Sequence, residues 1–301
     1  MNQHPRVKHE TEPFGVAFQA RAATIMVPLD GSTQATVALP VAQELATLLA
    51  ATMHVVHVSP RRLTGEEMRD TLKLTPEQLS SAVLNQPTGS PASAIVQEAK
   101  QWGSQFIVMC PHTALESPVG GFGSIAQEIL PSTPCPIVLV PPGRGQCSWS
   151  LRRLLLPHDS TPTSALAIGP MVDLARRAQA RVAVLHVASA ATAPPEELGT
   201  FPAPRYMDQL HHEWPAWERE FLDRAQAGGT LPPELTLHTV FCTEGVGEAI
   251  VRFAVEHDTD LIALAWRLNL EPQRALTMRS IIRHARCPVM IYPVRTSSTR
   301  A

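Results

Sequence analysis

Two α/β domains in tandem, each a parallel sheet with helices on both faces, are predicted from three observations. Short apolar runs alternate with helix-like stretches along most of the chain. The runs are near-continuous in Val, Ile and Leu, as strands buried on both faces are. And the series occurs twice.

In the first series an apolar run at 23–29, ending in Val27-Pro28-Leu29-Asp30-Gly31-Ser32, reads as a strand. Ala and Leu at helical spacing over 33–50 predict a helix, and Val55-Val56-His57-Val58 closes a strand at 53–58. Thr75-Pro76-Glu77-Gln78 has the form of a capped helix start, with Pro first and Gln three residues after the cap. A strand near 82–86, a helix at 91–102 and a strand at 105–110 follow. After the glycine-containing stretch Ser117 to Ser124 come a helix from Ser124 and a last strand at 136–140.

The second series repeats these landmarks. Pro28 and Pro157, Asp30 and Asp159, and His57 and His186 are each separated by 129 residues. Phe106-Ile107-Val108-Met109 answers Leu261-Ile262-Ala263-Leu264, and Cys135-Pro136 answers Cys287-Pro288, at offsets of 155 and 152. Landmarks in one order with changing gaps mean a duplicated domain with insertions and deletions. The expected organisation is a loose tail at 1–22, a first domain at 23–143, and a second at 150–294 carrying a helical insertion at about 190–232. Pro141-Pro142-Gly143-Arg144-Gly145 forms the join. The last strands, Pro136 to Val140 and Pro288 to Tyr292, would lie at sheet edges. Pairing them with each other would remove an aggregation hazard and make the chain its own pseudo-dimer.

Composition narrows the function. The 301 residues are 44% hydrophobic and 17% charged with a net charge of −2, which fits a globular protein and gives no bulk attraction to nucleic acid or anionic membrane. No apolar stretch reaches the roughly 18–20 residues of a membrane span, and the first 22 residues lack the layout of a signal peptide. The five scattered cysteines form no metal-ligand spacing and suit a reducing, cytoplasmic setting.

The order and spacing of Val27 to Ser32, Val55 to Val58, Gly89-Ser90-Pro91-Ala92, Phe106 to Met109 and Pro134 to Val140 resemble the universal stress protein family in a tandem form. The resemblance implies a Rossmann-like (adenine nucleotide alpha hydrolase-like) fold with a five-stranded parallel sheet in each domain. It implies ATP or AMP, with magnesium for ATP, across the carboxyl ends of the strands. Asp30 would then lie at the adenosine, Val58 at the adenine, and Gly123-Ser124 at the phosphate end of the loop, with Pro28 and Met109 also among the nucleotide-binding residues.

A phosphate loop requires converging backbone N–H groups, which glycine permits and a following helix N-terminus supplements. Gly123-Ser124 meets the second demand, with Ser124 either donating to phosphate or capping the helix. The family motif G-x2-G-x9-G-[ST] has glycines where this chain has Cys110 and Thr113, side chains expected to crowd the phosphates. In the second half Ala275-Leu276 stand where Gly-Ser would be, so that half is expected to have lost the site. Arg267, Arg274 and Arg279 read as solvated charges or an anion contact.

His57 and His186 read as core histidines bonded to backbone. His211-His212-Glu213 lacks a third ligand for zinc. In the insertion Met207, Leu210, Trp214, Trp217 and Phe221 recur at helical spacing, as a face packed on its own domain, over the second-half pocket or against a partner. No nucleophile elbow, Walker loop or pyrophosphatase loop occurs. Three functions follow: an adenine-nucleotide binder of stress-response type with ligand in the first half only, an interaction module without nucleotide, or a slow ATPase. Partners beyond the nucleotide are an unidentified protein or a second copy of the chain.

Overall fold

Thr24–Pro28 (β1) is almost wholly buried, as a central strand of Ile, Met and Val should be. The computed structural model describes residues 23–76, 78, 82–111, 123–143, 148–189, 200, 216–217, 219–220, 223, 235–242, 245–267 and 272–294. The expected N-terminal tail and nearly all of the expected insertion lie outside these residues.

After β1 a 3-10 turn at Ala35–Val37 leads into α1 (Ala38–Leu49), which ends where Ala50 turns left-handed. Next come β2 (Thr52–Val56), α2 (Gly65–Leu72), β3 (Ala82–Asn85), α3 (Pro91–Trp102) and β4 (Ser104–Met109). A short α4 (Ser124–Ile129) and β5 (Ile137–Leu139) complete the first half. The second half runs β6 (Arg153–Pro157), α5 (Pro162–Ala165), α6 (Ile168–Ala178), β7 (Arg181–Ser189), β8 (Leu235–Cys242), α7 (Val246–Glu256), β9 (Leu261–Arg267), α8 (Pro272–His284) and β10 (Val289–Val294).

α2 is an element the sequence reading did not anticipate. Its start is a capping box: the Thr64 hydroxyl accepts from Glu67 N–H at 3.2 Å while the Glu67 carboxylate accepts from Thr64 N–H at 2.8 Å. The expected start at Thr75 makes the same reciprocal pair with Gln78, at 2.9 and 3.3 Å.

The ten strands among the described residues form one sheet in the order β3-β2-β1-β4-β5-β10-β9-β6-β7-β8. Every pairing is parallel except β5 with β10, where Leu139 faces Val289, Val138 faces Met290 and Ile137 faces Ile291. The two last strands thus pair with each other, as expected, and five strands lie on either side of that seam. One apolar cluster lies under α1, α2 and α6, and the other under α3, α4, α7 and α8; both run through the two halves. In each half the chain steps outward from the first strand in both directions. Between β1 and β4, and between β6 and β9, a crevice therefore opens at the carboxyl ends, where such sheets hold ligands.

Candidate functional site

In the first half the turn after β1 is built by short-range bonds. Leu29 N–H donates to Val56 O at 2.9 Å, holding the chain against β2 for one residue beyond Pro28. Asp30 is exposed, and its Oδ1 accepts from Ser32 N–H at 2.9 Å. Gly31 has φ +89°, and a Cβ there would stand 3.0 Å from the carbonyl oxygen of Thr71 on α2. A left-handed turn pressed by a second backbone is a place only glycine fills without strain.

Beyond β2 the strand continues along β3, with His57 N–H donating to Asn85 O at 3.0 Å and Ser59 N–H to Pro87 O at 3.3 Å. Alternation along the strand turns the N–H and C=O of Val58 the other way, toward β1. β1 has already turned aside there. Among the described residues no hydrogen bond takes either group. One donor and one acceptor therefore border the crevice from a single half-buried residue.

Across the crevice, Met109 ends β4 and packs in the cluster of α3 and α4, on the same side as Val58. Cys110 packs on the opposite side, in the cluster of α1 with Val27 and Val108. Its thiol is therefore core filling, on the opposite side from Val58. Burial pushes the Cys110 thiol up to about 11, with the charge of Asp30 adding to the effect. Gly123, at φ +23°, is the N-cap of α4, and exposed Ser124 is the first helical residue rather than the cap. Thr113, Gly120 and Gly121 lie outside the described residues. Topology thus carries Pro28, Asp30, Val58, Met109, Gly123 and Ser124 to one end of the sheet.

The second half repeats the turn and closes it. His158 N–H donates to Leu185 O at 2.8 Å, as Leu29 does to Val56, and Ser160 takes φ +63° where Gly31 stands. Asp159 Oδ1 accepts from Thr161 N–H at 3.2 Å, Thr161 Oγ1 at 2.6 Å and Ser164 Oγ at 2.7 Å. Thr161, Thr163 and Ser164 are buried, and α5 packs on β9 across the crevice. Trp217, from the insertion, is 5% exposed and lies with its ring 4.7 Å from that of His186. It contacts His186 of the second half and shares a cluster with α6. Met207, Leu210, Trp214, Phe221 and the sequence His211-His212-Glu213 lie outside the described residues.

The glycine-loop position is altered as well. Ser124 and Leu276 each precede the equivalent cysteine by eleven residues (135 − 124 and 287 − 276). α8 begins at Pro272, so Leu276 sits inside its second turn, 60% exposed, where backbone N–H groups bond to the preceding turn instead of facing a ligand. Arg279 is an exposed helix residue, and the side chains of Arg267 and Arg274 are not among those described. Among the described residues no three metal-ligating side chains gather, and no helix is long and apolar enough to cross a membrane.

The family model described as universal stress protein family matches residues 22–86 and 150–293. The chain belongs to the universal stress protein family. The match in the first half stops before β4, so the stretch in which Cys110 and Thr113 replace glycines falls outside it. Solved structures similar to the chain include two Pseudomonas aeruginosa proteins, one assigned to the universal stress proteins and one of unknown function. They show 17% and 18% identity over 92% of this chain and 95% and 94% of theirs, each with a TM-score of 0.63. A universal stress protein from Archaeoglobus fulgidus is 15% identical over 92% of this chain and 97% of its own, with a TM-score of 0.61. At these identities the likeness shows the shared fold. No curated protein matches the chain.

Proposed function

We propose that this universal stress protein binds an adenine nucleotide in the crevice of its first half, and that the second half serves as a closed partner to it. The observation that carries this reading is the Val58 peptide edge. A donor and an acceptor on one residue, neither taken by a hydrogen bond among the described residues, complement the N1 acceptor and N6 donor of adenine. Exposed Asp30 beside it suits ribose hydroxyls, and Gly123-Ser124 suits phosphate. The self-bonded Asp159 and the earlier start of α8 support the restriction to one half. Binding would act through conformation or association, in the cytoplasm, as the stress-response reading implies.

Isothermal titration of nucleotide-stripped protein with ATP and AMP, with and without magnesium, tests it. One equivalent is expected, with affinity falling about tenfold or more in Asp30→Ala and within about twofold of wild type in Asp159→Ala. Absence of heat at millimolar nucleotide would remove the reading, and two equal equivalents would remove its restriction to the first half.

A further inference from the structure

The turn that carries Asp30 is shared by two segments. The last turn of α2 presses on it, since the Thr71 carbonyl oxygen stands 3.0 Å from the place of a Gly31 Cβ. Lys73 follows in a left-handed C-cap, φ +54°, and its ammonium donates to Thr33 Oγ1 at 3.0 Å. Two independent contacts thus fix the end of α2 over residues 31–33. Asp30, Thr33 and Lys73 are all exposed there.

The ammonium is held by a neutral hydroxyl. On the same excursion between β2 and β3, Arg61 is taken by Glu67 at 2.7 Å. Lys73 makes no ion pair among the described residues. A hydroxyl and a cation side by side, three residues along from a carboxylate, form a donor pair suited to an anionic oxygen. A carboxylate alone would repel phosphate on a ribose; with Lys73 at the end of α2 held over the same turn that repulsion is offset, and Asp30 can take the remaining ribose hydroxyl.

We infer that Lys73 and Thr33 form an anion subsite at the ribose end of the first-half crevice, so that the preferred ligand is an adenine nucleotide phosphorylated on its ribose 2′- or 3′-hydroxyl. This rests on the placement of adenosine at Val58 and Asp30 proposed above. Lys73 acts as a specificity residue, beyond the general attraction of a cation for a helix C-terminus.

The test is titration of the full chain with 5′-AMP, adenosine 2′,5′-bisphosphate and adenosine 3′,5′-bisphosphate at fixed ionic strength. One of the two bisphosphates is expected to bind about tenfold tighter than AMP. The ratio of the two affinities should fall to about one in Lys73→Gln and persist in Lys73→Arg. Reading a ratio within each variant makes the result independent of any general loss of affinity or stability. AMP binding with neither bisphosphate tighter overturns the subsite and leaves the nucleotide reading standing. A preference that survives in Lys73→Gln also overturns it. Absence of heat with all three nucleotides overturns both.

Discussion

His57 and His186 occupy equivalent places, each ring nitrogen bonded to the carbonyl that precedes the Asp turn, Leu29 O at 2.9 Å and His158 O at 3.0 Å. The halves differ in what precedes the aspartate. Leu29 is apolar, whereas His158 is a second buried imidazole whose Nδ1 accepts from Ser160 N–H at 2.8 Å. Burial lowers the pKa of both His158 and His186; Asp159 pulls each the other way and is outweighed. Both rings are thus neutral in the folded chain. In the unfolded chain they titrate near 6.5. Below that pH the unfolded state takes up protons that the folded state refuses, so the stability is present above about 6.5 and is lost as pH falls. Each histidine adds up to about 1.4 kcal/mol per pH unit of that loss. The urea midpoint is therefore expected to fall steadily between pH 7.5 and 5.5. A midpoint unchanged across that range would contradict neutral burial of the pair.

α7 and α8 meet at Gly247, where a Cβ would stand 2.7 Å from the Ser280 Cβ and 2.9 Å from the Thr277 carbonyl oxygen. Neither neighbour can rotate away, so Gly247→Ala forces the helices apart and is expected to cost about 1–3 kcal/mol, despite the better helix propensity of alanine. Gly169 in α6 has nothing within 4 Å of the same position. There alanine should stabilise by up to about 1 kcal/mol, and thermal unfolding of the two variants should move in opposite directions. Equal shifts would mean that the helix approach at Gly247 is not tight. At this scale much was legible in sequence: β1, β3, α3 and the capped start at Thr75 lie within a residue or so of the apolar runs and cap signals that announce them. α2 was missed although Thr64-Gly65-Glu66-Glu67 spells a capping box, because its apolar face is only Met68 and Leu72. The direction of Cys110 could not be read, since alternation shows that neighbours face opposite ways and not which face meets the ligand. The contacts of Trp217 with His186 and of Lys73 with Thr33 join residues far apart in sequence, which no local pattern announces.

Across the whole molecule the seam decides how the halves behave. Ile137, Val138 and Leu139 meet Ile291, Met290 and Val289, all at most 2% exposed. Left unpaired, either strand would be an apolar edge open to another chain. Both apolar clusters pass through the seam, one joining Val138 to Met290 and the other Ile137 to Ile291. α1 also packs against α6 from the opposite half. A half that unfolded alone would therefore expose the second layer of its neighbour as well as its own, which couples the two. We expect one calorimetric transition, with an unfolding enthalpy near 0.7 kcal/mol per residue for the whole chain and a ratio of calorimetric to van't Hoff enthalpy near 1. Replacing Met290 by Lys buries a charge without a partner at the centre of the seam and should divide the transition or expose edges that drive association. Two resolved transitions in the unaltered protein, or a ratio near 2, would mean that the halves fold independently and that the paired strands are a join without energetic consequence.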